Sequence, residues 1–595
     1  MLDDGSEFNC EHSERCGGCA FMGTPLRDQL KHKSARVGAA LSPYSRLAAL
    51  AIADTRAADP MLEYRTRAKL VVSDSGAIGL YARHTHDVVD IPGCRVLHPA
   101  LARVAAWLRA RRAPIHALDL RWVERDRGVL VTLSGEPRDV ERLRTLAQVL
   151  GAETDVIGVA LRLQPRAAVQ QLEGVPENVA GRSIARDTLL EGGPYHYASH
   201  GSFVQAHRAQ AAVLAERAIA SLEAALSGLR GRTILELFAG SGALGLALCQ
   251  RGAQVTVVER YAPALEHALL AAREQNTIGL AAISGDADRV LEELIDRGAR
   301  FDGLIIDPPR RGLSPHLRAR IAALRPQAIV YVSCEPTTLA RDLDDFALRG
   351  LRARGVESFD MMPLAFDVES LVLLQPTAPA AIQVIHEDER LLVVDKPPHL
   401  PTIPEAEYAH SLLLRLQEER ALPELSALHR LDVGTSGVCL FAKSRAHVEA
   451  LASQLARSQK HYAALVRGGL NAKGIVRAPL REQGKTRDAI SRYTKVERIG
   501  RHSLARVRPE QGRTHQVRKH MASIGHPVLG DARYGDPASN QFFEHKHGLQ
   551  RTFLHASRIE WRDGAGQLER VFEAELAPDL SAVLASLRAN DRRGR

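Results

Sequence analysis

Apolar residues along the chain come in short bursts of strand length, separated by stretches with helical spacing. Thr233 to Phe238 is a continuous apolar run, Ala239-Gly240-Ser241-Gly242 is a glycine turn, and Ala243 to Arg251 repeats its apolar positions as a helix does. Gln254 to Val258 reads as a second strand, ending on Glu259. Phe301 to Ile306 and Ala328 to Ser333 read as buried strands that run out at Asp307-Pro308-Pro309-Arg310-Arg311-Gly312 and at Cys334-Glu335-Pro336. Val368 to Leu374 is a further strand. Residues 20–195 mix both patterns: Ala100 to Arg112 and Glu136 to Leu150 are amphipathic helices, while Leu62 to Val72 and Gly79 to Arg83 set basic residues among apolar ones at strand spacing. Those bases hold phosphates or merely occupy exposed sheet positions.

One stretch breaks the pattern. Gln375 to Ala381 has two prolines, no charge and no periodicity, the composition of a short stiffened linker. Beyond it Val384-Ile385 and Leu391 to Val394 flank the acidic turn Glu387-Asp388-Glu389 as a strand pair. The expectation is an α/β and α+β multidomain chain: a cysteine-bearing α+β region over 1–190, a Rossmann-like domain over 191–375, a linker at 376–381, and a mixed antiparallel-sheet domain over 382–595.

Composition changes the picture in two places. At 595 residues, with 45% hydrophobic and 25% charged residues, the chain has the composition of a globular protein of several domains. It has no run of about 18 apolar residues and no leader-like start, so the expected compartment is the cytoplasm, with no membrane contact and no obligate protein partner in evidence. The net charge of +9 is uneven. Residues 381–595 hold 34 Lys+Arg against 25 Asp+Glu, whereas residues 1–380 are balanced. Lys460 to His520 alone has 16 basic and 4 acidic residues, a density suited to a polyanion, nucleic acid first among them.

The seven cysteines argue against a disulfide framework, being odd in number. Cys10-x5-Cys16-Gly17-Gly18-Cys19 gathers three thiols, and Cys94 follows far downstream. Three close ligands and one distant ligand suit a [4Fe–4S] cluster; zinc or free thiols are the alternatives. The strand–glycine turn–helix–strand–acid unit ending on Glu259 suits a nucleoside cofactor, without separating a dinucleotide from S-adenosylmethionine. Strand ends in such sheets face one crevice, so Glu259, Asp307 and Cys334 belong together, and a cysteine there is a candidate nucleophile. Cys249 and Cys439 instead suit inert burial.

With these motifs, residues 1–374 resemble the uracil-5 RNA methyltransferase family. The resemblance implies S-adenosyl-L-methionine as methyl donor, Cys334 as the thiolate that adds to carbon 6 of uracil, and Glu369 as the base that removes the carbon 5 proton. It further implies cofactor contacts from Gln205 (in Phe203-Val204-Gln205), Phe238, Gly240, Gly242, Glu259 and Asp307. Four positions depart from the family pattern: Glu335, Asp367, Ala243 and His207. The first two bring negative charge toward the thiol and are expected to raise its pKa.

Beyond the linker, His429-Arg430-Leu431-Asp432 lies in a polar loop, where a lone acid is ordinarily a cap or an ion-pair partner. With Asp395-Lys396-Pro397, Lys460-His461-Tyr462, Gly512 to His520 and Leu554-His555-Ala556, however, residues 382–580 resemble the pseudouridine synthases of the His-Arg-Leu-Asp signature. That implies Asp432 as the residue starting base exchange, Tyr462 packing on the base, Arg518 pairing with the aspartate, and Arg430 filling the place of an extruded base. The combined expectation is a bifunctional enzyme acting on rRNA or tRNA. The rivals are a synthase whose first half is a non-catalytic RNA-binding platform, and a cluster-bearing RNA-binding or redox-sensing protein.

Overall fold

The computed structural model describes residues 8–83, 85–166, 176–377, 381–404, 411–482 and 485–593. The chain divides into two units, Met1–Ala378 and Pro379–Arg595. Residues 378–380 of the expected linker lie outside the described residues. Its first residue is not linker at all. Pro376 ends the strand Glu369–Pro376 and pairs with Leu351, a position a proline tolerates because the strand stops there.

The first unit holds two seven-stranded sheets. In the first, the strands run in the order Val88–Asp90, Ile78–Tyr81, Arg67–Val72, Ala117–Val123, Gly128–Gly135, Val156–Leu163, Glu177–Gly181. One face carries Leu70, Leu118, Leu120, Val131, Leu133 and Leu161 against the helices Pro99–Ala110 and Val140–Gly151. The second helix starts later than its sequence suggests, because Pro137–Asp139 forms a 3-10 turn first.

The second sheet has the order Leu280–Ser284, Gln254–Glu259, Thr233–Leu237, Gly303–Ile306, Ala328–Ser333, Glu369–Pro376, Leu351–Phe359. The first five strands are parallel and the last two antiparallel. Leu235, Leu237, Leu304, Ile306, Ile329 and Tyr331 are buried on one side and Ile234, Val257, Ile305, Val330 and Val332 on the other, which is why these strands read as unbroken apolar runs. The strand order reverses beside Thr233–Leu237, opening a crevice at the carboxyl ends of this strand and its neighbours. Phe301 and Asp302 stay outside their strand. Asp302 caps its beginning by accepting from the Thr233 N–H at 2.9 Å.

The second unit is built on one large sheet. Its path runs Val384–Glu387, Leu391–Lys396, Ser436–Ala442, Leu554–Arg562, Gln459–Val466, His502–Pro509, Ile490–Ile499, Lys473–Arg477, all antiparallel except the pairing of Ser436–Ala442 with Leu554–Arg562. Two apolar clusters fill it, one around Leu465, Phe543, Phe553 and Leu580, the other around Val393, Leu440, Leu451 and Trp561. The molecule is thus a mixed α/β multidomain protein. None of its described helices is long and apolar enough to cross a membrane.

Candidate active sites

In the first unit, the chain leaves Thr233–Leu237 through Phe238, which takes φ +62°, and turns on Gly240 (φ +55°) and Gly242 (φ +67°) into the helix Ala243–Gln250. A side chain on Gly242 would meet the Ala268 Cβ at 2.9 Å, so glycine there serves packing. A side chain on Gly240 would meet nothing within 4 Å, so the turn leaves open space where a ligand would lie against the backbone. Glu259 braces the turn: its carboxylate accepts from the Gly240 N–H at 3.1 Å and from the Tyr261 N–H at 3.0 Å. Beneath the turn Glu236 is buried, and burial pushes its carboxyl up to about 8. Sequence reasoning passed over this residue because a lone acid inside an apolar strand carries no motif of its own.

Cys334 sits between Ala328–Ser333 and the helix Pro336–Leu348, half-buried and reduced. Burial, with the Glu369 and Asp307 carboxyls adding to it and Arg310 opposing them, pushes its thiol up to about 12. Glu369 opens the adjacent antiparallel strand; it is buried and its Oε2 has no hydrogen-bond partner. Burial first, then Asp307 and Asp367, hold its carboxyl well above the usual carboxylate range. Loss of hydration in the crevice raises Asp307 to about 7, although its side chain reaches solvent at the mouth. Cys334, Glu369 and Asp307 therefore act on one another, as the strand ends require.

The departures from the family pattern are absorbed by partners. The Glu335 carboxylate accepts from Arg36 at 2.9 Å and caps the following helix through the Thr337 N–H and hydroxyl. Asp367 forms an ion pair with Arg310. The negative charges that raise the thiol most are Glu369 and Asp307, ahead of the expected Glu335 and Asp367. His207 caps the helix Arg208–Leu226 by accepting from the Gln210 N–H at 3.2 Å, and stacks on Tyr64 at 4.8 Å. It holds structure two residues from the half-buried Gln205.

Two contact sets fix the loops that bear these groups. Asp342 accepts from Tyr331 Oη at 2.7 Å, from the Leu313 N–H at 2.8 Å and from the wholly buried Arg318 at 2.8 Å, pinning the Asp307-to-Gly312 segment to strand and helix. The segment leading to Glu369 is held by N-terminal residues: Lys33 Nζ donates to Asp360 at 2.5 Å and to the Met362 carbonyl at 2.9 Å, and the Phe21 N–H donates to the Leu364 carbonyl at 2.9 Å.

Phe21 follows the cysteine segment directly. Cys19 and Cys94 pack with Met61, Tyr64, Val96 and Leu364, and Cys94 also adjoins the cluster that includes Cys16. Burial, then the charges of Cys94, Cys16 and Cys10, push the Cys19 thiol up to about 12, so all four lie within electrostatic reach. Among the described residues, however, no three His, Cys, Asp or Glu side chains are gathered into a metal-holding group, so the ligand set expected of Cys10, Cys16, Cys19 and Cys94 is present as neighbours rather than as a closed site.

In the second unit Asp432 stands in the loop before Ser436–Ala442. Lys396, wholly buried, donates to the carbonyls of Pro397, Leu400 and Val433, and Thr402 exchanges hydrogen bonds with both backbone groups of Leu431 at 2.9 and 3.0 Å. Arg551 donates to the Gly434 carbonyl at 2.8 Å and to Ser436 Oγ at 3.1 Å. The loop is thus pinned on both sides of the aspartate. Arg518 donates to Asp432 at 2.9 Å through Nη1 and grips Asp531 at 2.7 and 2.8 Å through Nε and Nη2. Asp531, wholly buried, orients the guanidinium as a fork; a turn acid without a motif gave no sign of that duty. His515 Nε2 lies 3.5 Å from Asp432, and its Nδ1 is 3.1 Å from Tyr534 Oη. Burial, then the charge of Asp432, raises the Tyr462 hydroxyl above its ordinary range, which places Tyr462 beside the aspartate. Burial lowers His429 to about 3, and its neutral Nε2 accepts from the Leu440 N–H at 3.2 Å. Arg430 is exposed.

A family model described as tRNA (Uracil-5-)-methyltransferase matches residues 179–377, and one described as RNA pseudouridylate synthase matches residues 390–523. The chain is 28% identical over 389 residues to an uncharacterized RNA methyltransferase of Geobacter sulfurreducens, spanning 62% of this chain and 77% of that protein. It is 33% identical over 230 residues to the ribosomal large subunit pseudouridine synthase D of Pseudomonas aeruginosa, spanning 35% of this chain and 72% of that protein. Among solved structures, the tRNA (uracil-54, C5)-methyltransferase of Pyrococcus abyssi, in complex with S-adenosyl-L-homocysteine, is 22% identical and matches with a TM-score of 0.47, over 60% of this chain and 84% of that one.

Proposed function

The chain belongs to the RNA pseudouridylate synthase family and joins to it a tRNA (uracil-5-)-methyltransferase domain, and from that premise we propose how one bifunctional RNA-modifying enzyme carries out both reactions. The first unit methylates carbon 5 of a uridine, the second converts a uridine to pseudouridine, and the substrate is rRNA or tRNA in the cytoplasm.

S-adenosyl-L-methionine supplies the methyl group when bound. The open space at Gly240 and the donor set around it fit it: Phe238, Gly240, Gly242 and Glu259 would hold the nucleoside end, and Gln205 and Asp307 would serve the methionine end and the uracil. Cys334 adds through sulfur to carbon 6, which places electron density on carbon 5. After carbon 5 has accepted its methyl group, Glu369 takes the carbon 5 proton and elimination of the carbon 6–sulfur bond returns the cysteine. Both groups are neutral in the empty crevice, so each must first lose its proton to solvent: the charge of Arg310 favours the thiolate that adds to carbon 6, and Glu369 must be ionised to accept the carbon 5 proton. The observation that carries this reading is the meeting of Cys334, Glu369 and Asp307 in one desolvated crevice at the strand ends.

In the second unit Asp432 starts the exchange that cleaves the glycosidic bond and rejoins the uracil through carbon. Arg518, fixed by Asp531, pairs with its carboxylate; Tyr462 packs on the base; Arg430 enters the space the extruded base leaves. We extend the proposal to a [4Fe–4S] cluster on Cys10, Cys16, Cys19 and Cys94. Four thiols, three of them within electrostatic reach of Cys19, fit it in number and donor type, and such a cluster would tie the cysteine segment together beside the Phe21–Leu364 bond. Iron and sulfide analysis of anaerobically purified protein decides it: about four of each per chain supports the cluster, whereas one zinc refutes it.

The functional test supplies labelled S-adenosyl-L-methionine and RNA from a strain lacking this chain. The wild-type protein transfers label, Cys334→Ala does not, and Cys334→Ala still forms pseudouridine. Transfer of label by Cys334→Ala would overturn the methylation mechanism.

A further inference from the structure

The face of the first sheet turned away from its helices is polar and largely closed to solvent. The register sets Lys69 opposite Asp119 and Asp119 opposite Thr132, with Ser134 opposite Arg162 one row along, so these side chains share that face. Asp119 is already engaged by Arg67, through Nε at 3.1 Å and Nη2 at 2.8 Å. Arg162 makes no direct ion pair among the described residues, although the Asp119 carboxylate acts on it from a distance. It is 7% exposed, and its Nε and Nη1 meet no hydrogen-bond partner. Gln164 Nε2, in a residue 8% exposed, is also unpartnered, whereas the His200 ring is engaged, with Nδ1 3.1 Å from Thr132 Oγ1 and the Arg182 backbone close to the ring.

Buried polar groups in native proteins are almost always satisfied, and a guanidinium cannot escape burial by losing its proton. A buried arginine with two unsatisfied N–H groups and no direct ion pair, beside the idle Gln164 amide, therefore calls for an anion, and the planar fork matches a phosphate. Lys69, exposed on the same face, marks where it opens to solvent. Gly201 brings its backbone close: a Cβ there would lie 3.5 Å from Arg162 Nη2. The face also adjoins the cofactor turn. Tyr261, whose N–H donates to Glu259, is within electrostatic reach of Arg162.

We propose that this face seats a phosphate of the RNA backbone, held by Arg162 and Lys69 with Gln164 donating beside them, and so positions the RNA on the unit that contains Cys334. The inference rests on the RNA-methylating reading of that unit and goes beyond it by naming where the backbone is gripped. Phosphate contacts fix register and orientation, and they leave a signature in salt dependence.

The experiment uses the full chain and RNA from a strain lacking it, bound on filters across about 50–200 mM salt. Arg162→Gln and Lys69→Gln should each weaken binding several-fold at about 0.1 M salt and reduce the slope of log affinity against log salt by about one. The KM for RNA in methyl transfer should rise in step, with kcat at saturating RNA unchanged and Arg162→Lys partly restoring affinity. Affinity and slope equal to wild type in both variants would overturn the site. Should Arg162→Gln misfold, Lys69→Gln on the exposed side chain decides the matter. Because binding is read without catalysis, a wild-type chain that binds RNA yet transfers no methyl group defeats the functional reading while leaving this test intact.

Discussion

At the scale of single residues, the methyltransferase crevice is built from groups that resist ionisation when empty. The sign follows from the direction of the shifts. Cys334 is pushed up to about 12 and Glu369 stands well above the carboxylate range, so both keep their protons at neutral pH and gain the reactive, deprotonated form only as pH rises. Methylation kcat/KM, which reports the free enzyme, should therefore climb steadily from about pH 6 to 9; a profile flat from pH 6 upward would contradict that assignment. Glu335 yields a second expectation. Its charge is met by Arg36 in a partly exposed pair, and such pairs contribute about 0–1 kcal/mol. Glu335→Ala should cost about 1 kcal/mol in thermal stability through the lost helix cap and change the methylation rate by less than about fivefold. A hundredfold loss would show that the carboxylate acts on the thiol after all. Sequence motifs singled out Cys334, Glu369, Asp432 and Arg518, and the structure sets Glu369 within electrostatic reach of Cys334 and Arg518 on Asp432. They could not show Arg36 beside Glu335 or Asp531 behind Arg518, because those contacts span 299 and 13 residues and a turn acid does not announce its partner.

At the scale of elements, the parallel strands were legible because burial on both faces turns each into an unbroken apolar run that stops where the chemistry begins. The first sheet was less legible. Its polar face is itself buried, so Ala117–Val123 is inaccessible throughout while its sequence alternates Leu118 and Leu120 with Asp119 and Arg121, a pattern that reads as a surface strand. The linker was misread at Pro376 because proline reads as a breaker, although a strand's last residue can afford to lose its N–H. The loop after Gly303–Ile306 offers a direct test of how an element holds a site. Gly312 has φ +69°, and a Cβ there would stand 2.6 Å from Asp342 Oδ2 and 2.7 Å from Arg341 Nη2. Gly312→Ala must displace a loop that carries Asp307 and Arg310. A shift of about 1 Å costs on the order of a hundredfold, so methyl transfer should fall by roughly that factor with pseudouridine formation untouched. Activity near wild type would show that the loop's position is not critical.

At the scale of the whole molecule, two units with separate cores and separate proposed catalytic sets share one chain. Tethering raises the local concentration of one active site on RNA already held by the other. The charge distribution agrees with such a division, since the excess of basic residues falls in the second unit and the first balances its charges overall. Separate sites make separable losses the central claim. The direct test maps 5-methyluridine and pseudouridine at single-nucleotide resolution in RNA from a deletion strain complemented with wild type, Cys334→Ala or Asp432→Ala. Both modifications should vanish on deletion, Cys334→Ala should restore pseudouridine alone, and Asp432→Ala should restore 5-methyluridine alone. If deletion removes only pseudouridine, or if Cys334→Ala restores the methyl group, the first unit is not the methyltransferase described here.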